Sequence, residues 1–205
     1  HYHQYTVDEH LIRSIRSAEK LLSENPPPAT EHVAEVARDI LRVDLLFLSL
    51  LLHDVGKGEG RGHVIRGMHI AQRVAERFDL RPVEQDLVHD LVANHQKMSH
   101  MALRRDIEDP GVVKELAQTV SEPEYLRMLY VHTASDMLAV SEESWNEWRG
   151  RLLALLYERT LDELRGKRRE RGHRMPTKDL RDYIWEELQK TDHKDRFDRS
   201  DIDHF

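Results

Sequence analysis

Leu45 to Leu52 is an apolar run broken only by Ser49, and it ends directly on His53 and Asp54, with Val55-Gly56-Lys57-Gly58 behind them. A helix made from such a stretch has no polar face to turn toward water. It therefore belongs inside a bundle, with other elements packed on every side. An imidazole and a carboxylate at the end of a buried helix must be paired or must bind a metal, because neither is tolerated alone in an apolar interior. The dipeptide by itself carries little information, since the chain holds 14 His and repeats the pair at His89-Asp90. What matters is where the other metal-capable side chains fall and whether they also face inward.

The rest of the chain agrees with a helical bundle. Among 205 residues only 9 are Gly and 7 are Pro, and long stretches repeat apolar residues at three and four rather than alternating. The length predicts one all-α domain with a substantial core, here placed at residues 1–165, followed by a charged C-terminal extension over 166–205. A formal net charge of -7 argues against a nucleic-acid binder that works by displacing counterions. With no cysteine, disulfides and thiolate metal sites are excluded, and His and carboxylates are the strong ligands that remain. No apolar stretch approaches the roughly 20 residues that span a bilayer, and no signal region opens the chain, so the expected location is the cytoplasm. A start at His1 rather than Met leads us to expect a segment of a longer polypeptide.

Capping and turn signals divide the chain. Thr6-Val7-Asp8-Glu9 reads as a capping box opening a helix that runs to about Leu22, and Asn25-Pro26-Pro27-Pro28 stops it. A second helical stretch starts near Thr30 and breaks around Arg42 to Asp44. Gly56 to Gly62 reads as a loop, and Val64 to Phe78 as a helix with Val64, Met68, Ala71, Val74, Ala75 and Phe78 on one face. Pro82 opens a helix reaching about Gln96. Asp109-Pro110-Gly111 reads as a turn before a short helix through Leu116, and Ser121-Glu122-Pro123-Glu124 opens a helix to about Val140. Trp145 to about Leu164 is a long last core helix. In the extension, Leu180, Ile184 and Leu188 mark one further amphipathic stretch, and the end of the chain is expected to be poorly ordered.

Five positions outside the His53-Asp54 pair are candidates for chemistry. On the Pro82 helix the stripe Val83, Leu87, Val88, Leu91 and Val92 continues to His95, which therefore faces inward, while Asp86 and Asp90 lie on the polar side and make His89-Asp90 a surface pair. On the helix ending near Val140 the stripe Leu126, Leu129, Thr133, Asp136, Val140 puts a carboxylate in line with the core, where it needs a partner. His132, one turn earlier, is a weaker candidate of the same kind. His10 borders the Val7, Leu11, Ile15 stripe, and His63 stands at the mouth of the glycine loop. Taken singly, these two read as an ordinary boundary histidine and an exposed helix-start residue.

The ordered set His10, His53-Asp54, His63, His95, Asp136 resembles the HD-domain phosphohydrolases. That resemblance implies that His10, His53, Asp54 and Asp136 hold a divalent cation, with His63 and His95 as additional histidines for a second ion. Neutral imidazoles and carboxylates suit Mn, Fe, Zn or Mg. Asp54 would position or deprotonate the attacking water, and Lys57 would steady a substrate phosphate, although a lysine there also complements the helix dipole. Tyr5 to His10, Leu51 to Gly58, Met98-Ser99, Arg104 to Pro110, Thr133 to Asp136, Trp145 to Trp148 and Leu152 to Tyr157 further resemble one subfamily. It is the central domain of the bifunctional PII uridylyltransferase and uridylyl-removing enzymes, which removes UMP from a PII-type signalling protein by phosphodiester hydrolysis. That family usually carries an acidic residue and Ser around the third histidine, where this chain has Gly62 and Val64. Its nucleotidyltransferase and sensing domains lie outside this chain. Two other readings stay open: hydrolysis of a free nucleotide or (p)ppGpp, and a degenerate HD domain that binds and regulates without turnover.

Overall fold

A computed structural model of the chain describes the backbone of residues 5–59, 62–141 and 144–174, and the side chains of these residues except 58, 59, 63 and 167–174. The elements, in order, are α1 (Val7–Leu22), α2 (Glu31–Arg38), α3 (Val43–Leu52), a short 3-10 helix (Val55–Glu59), α4 (His63–Arg77), α5 (Pro82–Asn94), α6 (Lys97–Arg104), α7 (Pro110–Val120), α8 (Pro123–Val140) and α9 (Glu147–Arg174). There is no strand among the described residues. The fold is all-α, and no described helix is long and apolar enough to cross a membrane. The chain separates into two compact units, His1–Leu164 and Arg165–Phe205.

In the first unit α3 lies at the centre, packed against α1, α5 and α8, while α4 covers α5 and the 3-10 helix. Its leucines explain this position. Leu45, Leu46 and Leu50 are completely or almost completely buried, and each contributes about 1.5–3 kcal/mol by leaving water. α8 is buried along most of its length, from Tyr125 through Ser135, and supplies the opposite wall. α3 and α8 thus form the centre of the bundle, and the candidate residues cluster around them: Asp136 on α8, His53 and Asp54 just past α3, His10 on α1 and His95 at the end of α5.

Several local expectations are corrected. The capping box at Thr6 does not form: the Thr6 hydroxyl bonds the Asp8 carboxylate, which lowers its pKa, and Glu9 accepts from Arg13 at 3.0 Å. Part of the glycine stretch is the 3-10 helix rather than loop, and Gly62 supplies the left-handed turn (φ 84°) into α4. Asp109-Pro110-Gly111 is not a separate turn but the start of α7, with Asp109 capping the Gly111 amide at 2.8 Å. α6 went unanticipated, because eight residues give too few repeats of a helical period to stand out. Phe78 and Val83, counted on inner faces, are 67% and 65% exposed, since they sit at the ends of α4 and α5 where the neighbouring helices no longer cover them. The stretch containing Leu180, Ile184 and Leu188 and the chain's end lie outside the described residues.

Candidate metal centre

His53 and His95 occupy equivalent positions. Each stands immediately after the last turn of a helix, the apolar α3 and the amphipathic α5 respectively, with its backbone still helical. There each imidazole turns back on its own helix, placing Nδ1 2.8 Å from the Leu50 carbonyl and 2.7 Å from the Val92 carbonyl. A carbonyl can only accept, so Nδ1 carries the proton in both rings. The contact satisfies a carbonyl that the helix end leaves open and directs the Nε2 atom into the core. Both rings are 1% exposed.

His10 enters from α1 and Asp136 from α8. His10 is not the boundary residue its stripe implied but is buried, because α8 closes over that face of α1. His10 Nε2 is 2.9 Å from Asp136 Oδ1, 3.3 Å from His53 Nε2 and 3.7 Å from Asp54 Oδ2. His53 Nε2 is 3.5 Å from both Asp54 Oδ2 and Asp136 Oδ1. Donors that each lie about 2.1 Å from a common ion stand about 3.0–3.4 Å apart, so these separations are of the right size for a divalent cation between them. His10, His53 and Asp54 form a buried triplet able to hold such an ion.

Asp54 faces two ways. Its Oδ2 atom meets His10, His53 and the Lys57 ammonium, the last at 2.5 Å. Its Oδ1 atom is turned toward His95 Nε2 at 3.6 Å, and neither of these buried atoms has a hydrogen-bond partner. Two buried acceptors without partners cost roughly 1–3 kcal/mol each, which a cation between or beside them would offset. The donor set and its unmet valences therefore fit a divalent ion held by nitrogen and oxygen.

The charges in the pocket are coupled. Burial pushes Asp136 up, but hydrogen bonds from His10 and His53 outweigh it and hold its carboxyl well below the usual range. Burial pulls His53 down, yet Asp136 and Asp54 overcome this and raise it. His95 is lowered, by burial first and by His53 second. A buried site that favours a proton on one imidazole also favours a bound cation in its place, since the two compete for the same lone pair.

Of the candidate residues, His10, His53, Asp54, Lys57, His95 and Asp136 come together, from α1, the turn after α3, the 3-10 helix, the end of α5 and α8. The His63 side chain lies outside the described residues, although its backbone begins α4. Gly62 occupies the position where the resembled family has an acid, and at its φ of 84° a side chain would be strained. His89 and Asp90 meet each other at 3.2 Å with partly exposed side chains, apart from the buried His53-Asp54 cluster. His132, lightly weighted from sequence, is fully buried against His53 and His95. Its place four residues before Asp136 on a buried helix was the available signal.

Comparison with known proteins agrees with this arrangement. Residues 7–139 match the family described as HD domain. The chain is similar to the bifunctional uridylyltransferase/uridylyl-removing enzyme of Gluconobacter oxydans (strain 621H), 37% identical over 165 residues that make up 80% of this chain and 17% of that protein. Proteins of the same name are 34% identical in Bordetella avium (strain 197N), over 91% of this chain and 23% of theirs, and 40% identical in Erythrobacter litoralis (strain HTCC2594), over 80% and 18%. The chain thus spans about a fifth of the length of these curated relatives.

Proposed function

The chain belongs to the HD domain family of metal-dependent phosphohydrolases, and from that premise we propose that it is a phosphodiesterase that removes uridylyl groups from a PII-type protein. One observation carries this reading: the Nε2 atoms of His10 and His53 each lie within 3.7 Å of a carboxylate oxygen of Asp54 and of Asp136, with His10, His53 and Asp54 forming a buried triplet. Relatives named for uridylyl removal support the choice of substrate.

In this reading His10, His53, Asp54 and Asp136 hold a divalent cation, and His95 with His63 extends the donor set toward a second one. A divalent cation bound there would supply Lewis acidity toward water and screening of the phosphoryl charge. Asp54 positions the water and accepts its proton. Lys57, held 2.5 Å from Asp54, presents a positive charge at the same edge of the site and steadies the phosphate oxygens. The imidazole tautomers are set in advance by Leu50 and Val92, so little reorganisation is needed when the site is used. Preceding and following domains of a longer chain would bring the modified protein to the site.

The test is release of UMP from a uridylylated PII-type protein in the presence of Mn, with bis-p-nitrophenyl phosphate, free nucleotides and (p)ppGpp as parallel substrates. Wild type is expected to release UMP and Asp54→Ala to lose that activity. Equal rates for the two proteins overturn a catalytic role for this site. Turnover of nucleotides without UMP release points instead to a free-nucleotide hydrolase, and metal binding with no turnover on any substrate points to a regulatory domain.

A further inference from the structure

The proposed reaction leaves one buried imidazole unused. His132 sits on α8 one turn before Asp136 and is 0% exposed. Its ring meets His53 edge to face, with centroids 5.2 Å apart and planes at 84°, and leans on His95 at 6.4 Å and 50°. His53 and His95 meet each other at 5.1 Å and 62°. Three imidazoles therefore pack as one triangle, and only two of them point a nitrogen at a carboxylate.

His132 is an expensive residue for mere filling. Burial first, and then His53 and His95, hold it neutral, with pKa well below the ordinary value, while the Ser49 backbone pulls only weakly the other way. Apart from the weak contact with the Ser49 backbone, neither ring nitrogen completes a hydrogen bond of good geometry. A leucine or methionine at this place would avoid burying two polar atoms.

The shape of the ring offers a reason. The Nδ1 contact to Val92 tethers one corner of His95, whose Nε2 has no hydrogen-bond partner, and because the terminal torsion of a histidine has a broad minimum that tether leaves its ring plane loosely set, whereas His53 is held at Leu50 and again at Asp136. A flat side chain packed against both rings from behind removes that freedom. Because His132 and Asp136 lie four apart on one helix, the supporting ring and the carboxylate opposite His53 move as one body.

We infer that His132 is a positioning residue, whose planar ring fixes the planes of His53 and His95 so that their Nε2 atoms stay aimed at the cation site. The inference rests on the metal reading given above. It goes beyond it in assigning cation affinity to a residue that touches no cation.

The experiment is Mn titration of the full chain, read from the electron paramagnetic resonance of free Mn, for wild type, His132→Leu and His132→Phe, with thermal melts in EDTA to establish folding. Leu removes the flat ring and is expected to weaken Mn binding about tenfold, as loss of a partner behind a metal ligand usually does. Phe keeps the flat ring and is expected to restore most of the affinity. A leucine variant that binds like wild type overturns the inference. So does a phenylalanine variant as weak as leucine, because a nitrogen and not the ring plane would then be what matters. If His132→Leu does not fold, His132→Met, which also lacks a ring, is read by the same criteria. A wild-type chain that binds no Mn overturns the metal reading and this inference together, whereas tight wild-type binding with unchanged variants overturns this inference alone.

Discussion

His10 Nε2 and Asp136 Oδ1 lie 2.9 Å apart, joining the first helix of the chain to the eighth through the interior of the bundle. The contact lowers Asp136 and draws both residues toward Asp54 and His53. Formation of the candidate site thus requires the chain's two ends of the domain to be packed, and binding at the site should in turn stabilise the whole domain.

Cation binding should be visible as stability. At a free Mn concentration about 100 times its Kd, linkage adds about 2.7 kcal/mol to the folded state. Thermal melts with Mn and with EDTA should therefore differ by several degrees in wild type, and the difference should vanish in Asp54→Asn. A metal-dependent shift that survives in Asp54→Asn would locate the ion elsewhere.

Lys57→Met should separate two effects. Removing a positive charge 2.5 Å from Asp54 Oδ2 should tighten Mn binding, because the ammonium and the cation compete for the same oxygen. The same change should lower kcat/KM for bis-p-nitrophenyl phosphate by about 10²-fold by removing a charge that faces the phosphoryl oxygens. Unchanged kinetics would leave Lys57 as a helix-end lysine only.

His89→Ala and Asp90→Ala serve as the matched control. These partly exposed side chains pair with each other at 3.2 Å, and the Asp90 carbonyl that receives Tyr125 is retained by alanine. Stability should change by no more than about 0.5 kcal/mol and Mn affinity not at all. Any loss of metal binding would mean that the two His-Asp pairs had been wrongly told apart.

Gly150→Ala should destabilise the fold although it improves helix propensity. An added Cβ would stand 3.1 Å from Trp145 Cζ2 and 3.3 Å from the Ala29 carbonyl, the same carbonyl that receives the Trp145 indole N–H at 3.0 Å. Overpacking of about 1–3 kcal/mol should exceed the gain of up to about 1 kcal/mol from replacing glycine within α9. Urea denaturation gives the sign directly, and a stabilised variant would contradict the packing described.

Acid stability should depend on Glu84. Arg81 donates to this carboxylate from its side chain at 2.7 Å and from its backbone at 2.9 Å, and Arg42 pairs with it as well, depressing its pKa from 4.5 to about 2. The folded state binds the proton less readily than the unfolded chain, so the stabilisation is fully present above pH 4.5 and is lost as pH falls toward 2. Urea midpoints for wild type should fall through that window more steeply than those of Glu84→Gln. Parallel curves would show that the ion pairs contribute nothing to folding.

The divide between what was legible and what was not follows the range of the physics. Helical periodicity, the buried Leu45–Leu52 segment and the inward register of His95 and Asp136 are short-range properties, so the all-α class and the inner faces could be read directly. Helix ends were less legible. Thr6 could have capped an amide but bonded Asp8, and Phe78 and Val83 had the right period yet fell where no neighbour covers them. Such outcomes depend on competing partners a few ångströms away, not on the local pattern.

The candidate site divides in the same way. Sequence alone determined that His53 and Asp54 would end a buried helix and that a small set of histidines and one further aspartate would face inward, because side-chain direction follows from helix register. Only the tertiary structure decided that His10 would be buried rather than peripheral, that Lys57 would meet Asp54, and that His132 would stand behind His53 and His95. Those relations depend on how α1, α3, α5 and α8 pack. Packing is set by the shapes of many side chains acting together, and no single segment of the chain contains them.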